Sequence, residues 1–217
     1  MEYVGTSTNE LIQHEELITH PNNYLYHRYK FDYIFDMEST QEQVYNIAAN
    51  PSVKSILDGY NSTIIAYGQT GSGKTYTMEG FTFDPNSPNK GLIPRVIEEI
   101  YKFIENSNNL NNFNTFDEIS VISNFNVKIT YLQIYNESID DILKPNNKNL
   151  NIREDNKKGL YVEGLSEWVV KKPSDLYELL EIGEQYRAKG NTKMNDVSSR
   201  SHAIFTKNIE QIKINNE

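Results

Sequence analysis

The chain has 217 residues, carries a net charge of -9 and is 37% hydrophobic, enough for one domain with a sizeable core. It has no cysteine, which excludes disulfides and thiolate zinc sites, and its four histidines (His14, His20, His27, His202) lack metal-ligand spacing. The negative charge argues against general nucleic-acid binding; no apolar run reaches the length of a membrane span, and the N-terminus lacks a signal-peptide pattern.

Residues 1–30 are polar and weakly patterned, and are set apart as an N-terminal segment. Phe31-Asp-Tyr-Ile-Phe35 alternates and predicts a strand. Ser39-Thr-Gln-Glu42 reads as a capping box opening a helix, with Val44, Ile47 and Ala48 on its apolar face. Pro51 interrupts and suits the first turn of a second helical segment capped by Asn50, which runs to a stop at Gly59.

Thr63-Ile-Ile-Ala-Tyr67 is a short apolar run of the kind a buried strand shows. It leads into Gly68-Gln-Thr-Gly-Ser-Gly-Lys-Thr75, which fits the phosphate-loop pattern G-x-x-x-x-G-K-[ST], and Tyr76-Thr-Met-Glu79 can continue as a helix. The residue types suit the chemistry. Gly68, Gly71 and Gly73 let the backbone curl so that N–H groups, those of Gln69, Thr70 and Ser72 among them, face phosphate oxygens. The following helix adds the positive end of its dipole. Lys74 suits the β- and γ-phosphates, and the Thr75 hydroxyl suits Mg²⁺.

Residues 80–91 read as a loop rich in Pro and Asn. A helix follows with Pro94 near its start and Ile93, Val96, Ile97, Ile100, Tyr101 and Ile104 on one face. Residues 106–124, rich in Asn and Ser, read as a solvated insertion. Phe125 to Tyr135 predicts a long strand with Phe125, Val127, Ile129 and Tyr131 on one face. Short strands are expected at Leu150–Ile152, Gly159–Val162 and Trp168–Val170. Ser174 is placed as the cap of a helix with Leu176, Leu179, Leu180 and Tyr186 inward and Gly190 at its end. Asn191 to His202 reads as a polar loop, and Ala203 to Ile214 as a final strand. Strands alternating with helices around a phosphate loop make the class α/β.

In that polar loop, Asn195-Asp-Val-Ser198-Ser199-Arg200-Ser201-His202 packs hydroxyls, a guanidinium and an imidazole together. Alone, it fits a capped turn feeding the next strand. Beside a phosphate loop, it fits a γ-phosphate sensor, because hydroxyls and Arg donate to phosphate oxygens.

The run from Gly59 to Gly80, Gly91-Leu-Ile-Pro-Arg95, the pair Ile134–Glu137 and Asp141–Leu143, and the N-x-x-S-S-R-S-H of residues 195–202 together resemble the kinesin motor domain. The likeness is read over residues 31–217, as a partial kinesin-like motor domain. The resemblance implies a P-loop NTPase-type three-layer α/β/α fold with a partial central sheet. It implies ATP and Mg²⁺ as ligands: Gly68 to Thr75 holding the phosphates, Tyr76 against the adenine, Thr75 and Ser199 on the metal and Ser198 on the γ-phosphate. Asn195 would orient the attacking water, and Arg200 would pair with an acidic residue of switch II. The implied function is ATP hydrolysis coupled to movement along microtubules, in the cytoplasm on the cytoskeleton, with Lys157 and Lys158 at a tubulin-touching hairpin. Ile134–Glu137 and Asp141–Leu143 are expected to pass from strand to helix.

The sequence departs from the family where the N-terminal R-x-R-P strand, the D-x-x-G-x-E switch II motif and the later helices are expected. No dimerisation region is found. The expectation is therefore the front part of a longer motor head. The alternatives are a non-catalytic kinesin-like protein that binds tubulin or a partner, and an unrelated phosphate-loop enzyme; against the latter, the N-K-x-D base-reading motif of GTPases is absent. The segment Thr63–Tyr67 is expected to lack both sheet neighbours.

Overall fold

The computed structural model describes residues 3–5, 10–16, 24–81, 84–111, 122–156, 159–190 and 200–214. At the N-terminus, β1 (Tyr3–Gly5), β2 (Glu10–Glu16) and β3 (Tyr24–Lys30) form an antiparallel meander, an element the weakly patterned segment did not announce. The expected strand at Phe31–Phe35 is not one. Those residues make no ladder, Phe31 and Tyr33 are about half exposed, and the Tyr33 and Phe35 rings rest on each other 4.6 Å apart. Alternation alone cannot make a strand without a partner edge.

The first helix is continuous. α1 (Gln41–Val44) passes through one π-helical turn (Tyr45–Ala49) into α2 (Asn50–Leu57). Its capping box lies one residue later than expected: Thr40 accepts from the Gln43 backbone N–H while the Gln43 side chain accepts from the Thr40 N–H. Asn50 caps nothing, because the helix does not stop there. Pro51 has no N–H to offer the Ile47 carbonyl, and the wider turn accommodates it. The π-turn also rotates the apolar face. Gln41, Tyr45, Ala49 and Val53 are buried, whereas Ile47 and Ala48 face outward. The stop at Gly59 holds: its φ is 95°, its N–H donates to the Ile56 carbonyl, and Tyr60 N–H reaches the Ser55 carbonyl, a Schellman closure.

Residues 61–68 carry no ladder, so the buried strand expected at Thr63–Tyr67 is absent. Ile65 is 80% and Tyr67 98% exposed. The backbone groups escape the cost of being buried unpaired by staying in water.

α3 (Lys74–Met78) leads through a turn-rich loop to α4 (Leu92–Asn111), the centre of the core. Ile93, Val96, Ile97, Ile100 and Tyr101 are buried as expected. α4 extends into the Asn-rich patch as far as Asn111, and β4 (Ile122–Tyr135) takes up its other end; residues 112–121 of that proposed insertion lie outside the described residues.

β4 is the spine of the second sheet. β9 (His202–Ile214) lies antiparallel along one edge, from Ile122↔Ile214 to Ile134↔His202. β5 (Ser138–Asp141) and β8 (Trp168–Val170) share the other edge, and β6 (Ile152–Asp155) pairs with β7 (Gly159–Val162) as a separate hairpin. Where a passage from strand to helix was expected, β4 turns back on itself. Asn136 and Glu137 both take positive φ (48° and 61°), a two-residue turn, and Asp141–Leu143 ends a strand rather than starting a helix. The buried Asp141 carboxylate holds this corner by accepting from the Leu143, Lys144 and Ser166 N–H groups.

α5 (Pro173–Gly190) starts at Pro173, so Ser174 lies inside its first turn. The capping carboxylate is Asp175, which accepts from the Lys171 and Lys172 N–H groups. Leu176, Leu179 and Leu180 pack into the core against α4 and β4, with Val127, Ile129 and Tyr131 opposite. Helices thus cover one face of a largely antiparallel sheet, and the phosphate loop hangs at the margin of this core.

Candidate functional site

The phosphate loop is held from two sides. Gln41, buried at the start of α1, donates to the Tyr76 carbonyl at 2.6 Å. At the far end of α3, the Glu79 N–H closes on the Thr75 carbonyl at 2.8 Å. Gly71 and Gly73 take φ of 80° and 89°, conformations that favour glycine, and Gly73 delivers the chain into α3. A Cβ on Gly68 would lie 2.5 Å from the Ser72 hydroxyl oxygen and 3.2 Å from the Ser72 Cβ, so a larger residue there requires the Ser72 side chain to turn away.

The Lys74 ammonium donates to the Gly68 carbonyl at 2.9 Å and to the Gln69 carbonyl at 2.8 Å. Among the described residues it forms no ion pair. A cation folded over its own loop and met only by carbonyl dipoles is a site that suits an anion, and the surrounding donors fit phosphate. The Thr75 side chain is exposed in the first turn of α3, open to a metal. Its expected partner in metal binding, Ser199, lies outside the described residues with Ser198 and Asn195. No cluster of metal-ligating side chains occurs among the described residues. Tyr76 is 42% exposed, its ring and that of Phe81 meeting edge-to-face at 6.0 Å.

Of the switch segment, Arg200 is described: it is exposed and opens onto β9. The next side chain, Ser201, has a buried hydroxyl without a partner among the described residues. His202 begins the strand rather than ending the loop. Lys157 and Lys158 lie outside the described residues, between β6 and β7. The structure thus assembles Gly68 through Tyr76 into one site, and the roles expected of the switch residues stay expectations.

Beneath the loop lies a set of residues that the sequence did not announce. Glu79 accepts from the Tyr131 hydroxyl at 2.9 Å and from Arg187 Nη1 at 3.3 Å. Burial pushes the Glu79 carboxyl above its ordinary range, against the pull of Arg187 and the Tyr131 hydrogen bond, with Glu184 adding to the rise. Burial, with Glu79 beside it, pushes the Tyr131 phenol up as well. No local signal links residues 79, 131 and 187; only the packing of α3, β4 and α5 does.

The family model for the kinesin motor domain matches residues 3–217. The chain belongs to the kinesin motor-domain family. The match takes in the N-terminal sheet as well as the phosphate loop. Among relatives, the human chromosome-associated kinesin KIF4A is 43% identical over 189 residues, 85% of this chain and 14% of that protein. The kinesin heavy chain of Botryotinia fuckeliana is 41% identical over 183 residues, 84% of this chain and 19% of the relative. A solved structure described as a fast kinesin, with implications for ATPase mechanism and interactions with microtubules, superposes with a TM-score of 0.80 at 34% identity. It covers 96% of this chain and 53% of its own. The chain therefore has the α/β fold of a P-loop NTPase of the kinesin type, and spans about half of that solved kinesin chain and less than a fifth of these two curated relatives. Kinesin membership implies nucleotide binding.

Proposed function

We propose that this chain is the nucleotide-binding part of an ATP-driven microtubule motor. The observation that carries the reading is the phosphate loop itself: Gly68 to Thr75 is complete in type and spacing, and the Lys74 ammonium lies over the loop with carbonyls as its partners. In this reading Lys74 moves from the Gly68 and Gln69 carbonyls to the β- and γ-phosphates of ATP. The backbone N–H groups of residues 69–73 and the start of α3 face the same charge. Tyr76 offers its ring to the adenine. Thr75 and Ser199 hold Mg²⁺, which neutralises charge on the phosphates when bound. Ser198 contacts the γ-phosphate, and Asn195 positions the attacking water. Arg200 pairs with an acidic residue of switch II. The chemistry is phosphoryl transfer to water, driven by positioning and charge neutralisation.

Lys157 and Lys158, at the tip between β6 and β7, are proposed to touch tubulin, and the protein to work on cytoplasmic microtubules. A second reading is a kinesin-like chain that binds tubulin without cycling. One pair of experiments separates the two. The first is nucleotide turnover of the full-length protein with Lys74→Ala: the motor reading expects loss of turnover, and unchanged turnover overturns it. The second is microtubule co-sedimentation with ATP, with ADP and without nucleotide. Nucleotide-dependent release supports the motor, and equal binding in all three supports the non-cycling protein.

A further inference from the structure

Three elements meet on one carboxylate oxygen of Glu79. The Glu79 backbone N–H closes the turn on Thr75 (2.8 Å), and its carbonyl accepts from Gly91 just before α4 (3.1 Å). Its Oε1 receives the Tyr131 hydroxyl from β4 (2.9 Å) and Arg187 Nη1 from the last turns of α5 (3.3 Å). The Glu79 and Arg187 side chains are only 11% and 14% exposed, and Arg187 Nε is buried with no partner among the described residues. An ion pair so covered, with one donor unmet, is a poor stabiliser, because desolvation offsets most of the attraction and an apolar pair of the same volume often does as well. Its place in the chain points to another use. Glu79 ends the helix that carries Thr75, and Arg187 sits close to Gly190, after which residues 191–199 carry Asn195, Ser198 and Ser199.

We propose that Glu79 and Arg187 are positioning residues. Their ion pair, braced by the Tyr131 hydroxyl, holds the phosphate-loop helix and the end of α5 in one register, so that phosphate bound at Gly68–Thr75 is felt at the switch-bearing end of α5. This inference rests on the nucleotide-binding reading above. Coupling of this kind is reciprocal, so it is readable at either end.

The test uses the 217-residue chain with ATP and Mg²⁺ as the probe. Titration with a fluorescent ATP analogue reads binding, and hydrogen exchange of residues 184–190 with and without saturating ATP reads coupling. In the wild type, ATP slows exchange at this helix end. In Arg187→Met the slowing falls by about tenfold, the scale of one charge-assisted hydrogen bond, while ATP still binds. The double variant Glu79→Gln with Arg187→Met removes both charges and regains thermal stability relative to Arg187→Met, yet stays uncoupled. A pair with a merely structural role would instead recover the slowing together with the stability, and that result overturns the inference. If the charge variants do not fold, Tyr131→Phe decides. It keeps the ring and removes the brace, so unchanged slowing in it overturns the inference and a partial loss supports it. Wild-type chain that binds ATP without slowing at 184–190 overturns the inference and leaves the nucleotide reading standing. Wild-type chain that fails to bind ATP overturns that reading, and the inference falls with it.

Discussion

At the residue scale, Lys207 is the side chain whose behaviour departs most from its type. It points from β9 into the core side of the sheet, donates to the Ile93 carbonyl at 3.2 Å and lies 5.6 Å from the Phe205 ring. No carboxylate pairs with it among the described residues, and burial pulls its ammonium down to about 7. The unfolded chain holds that proton up to the ordinary lysine value of 10.5, so between about pH 7 and that value it binds more protons than the folded chain. Stability should therefore rise with pH across this window. Lys207→Met removes the effect: wild type gains about 1–3 kcal/mol on the variant between pH 7 and pH 10, read by thermal unfolding at each pH. Parallel curves for the two proteins would refute the assignment. At the loop, Gly68→Ala forces a Cβ against Ser72 (2.5 Å from its Oγ). ATP affinity should drop by at least about tenfold with little change in melting temperature, since the loop lies outside the core; unchanged affinity would show that the loop can open to accept the methyl.

At the scale of elements, α5 and β4 are fitted through a glycine. A Cβ on Gly183 would meet the Tyr131 ring at 2.6 and 3.0 Å and the Ile142 side chain at 3.4 Å. Tyr131 cannot yield, because its ring is wedged edge-on against its cross-strand partner Phe205 at 5.1 Å and its hydroxyl is tied to Glu79. Gly183→Ala should cost about 1–3 kcal/mol as overpacking, outweighing the gain in helix propensity. Denaturant unfolding checks this, and a neutral or stabilising result would mean that α5 slides freely on the sheet. The same close fit is what lets Arg187 reach Glu79. The first helix carries a second lesson. Its π-turn lets Tyr45 and Ala49 enter the core and leaves Ile47 outside, so hydrophobicity at regular α-helical spacing points to the wrong face there.

At the scale of the whole molecule, the phosphate-loop approach is uncovered. Tyr60, Ile65 and Tyr67 are 70%, 80% and 98% exposed, beside a segment without ladder hydrogen bonds. Amides of residues 63–67 in this 217-residue chain should exchange at near-unprotected rates, while those of β4 and α4 stay protected. Strong protection at 63–67 would mean that another strand, from a second copy or another polypeptide, has paired with it. The sheet that does form is antiparallel around β4, and its long β4–β9 pairing joins residues about eighty positions apart. Bringing such distant segments together closes a large loop before any contact is gained, and the α4 core is where that cost is recovered.

Several features were legible in the sequence because they are local. The phosphate loop is a spacing rule, α4 a periodicity, Gly59 a stop signal, and β4, β7, β8 and β9 runs of β-formers; each depends on residues within a few positions of one another. The kinesin likeness was legible for the same reason, since its motifs are contiguous. What failed needed a partner. Phe31–Phe35 and Thr63–Tyr67 have strand-like composition, but a strand exists only where a neighbouring edge supplies its hydrogen bonds, and none does among the described residues. The turn at Asn136-Glu137 was hidden because Glu is an unusual residue for positive φ. By itself, the sequence determined the site that suits phosphate and the family it belongs to. Only the tertiary structure decided that Glu79, Tyr131 and Arg187 share one buried carboxylate, because side chains from α3, β4 and α5 become neighbours only when the packing around α4 excludes water from between them.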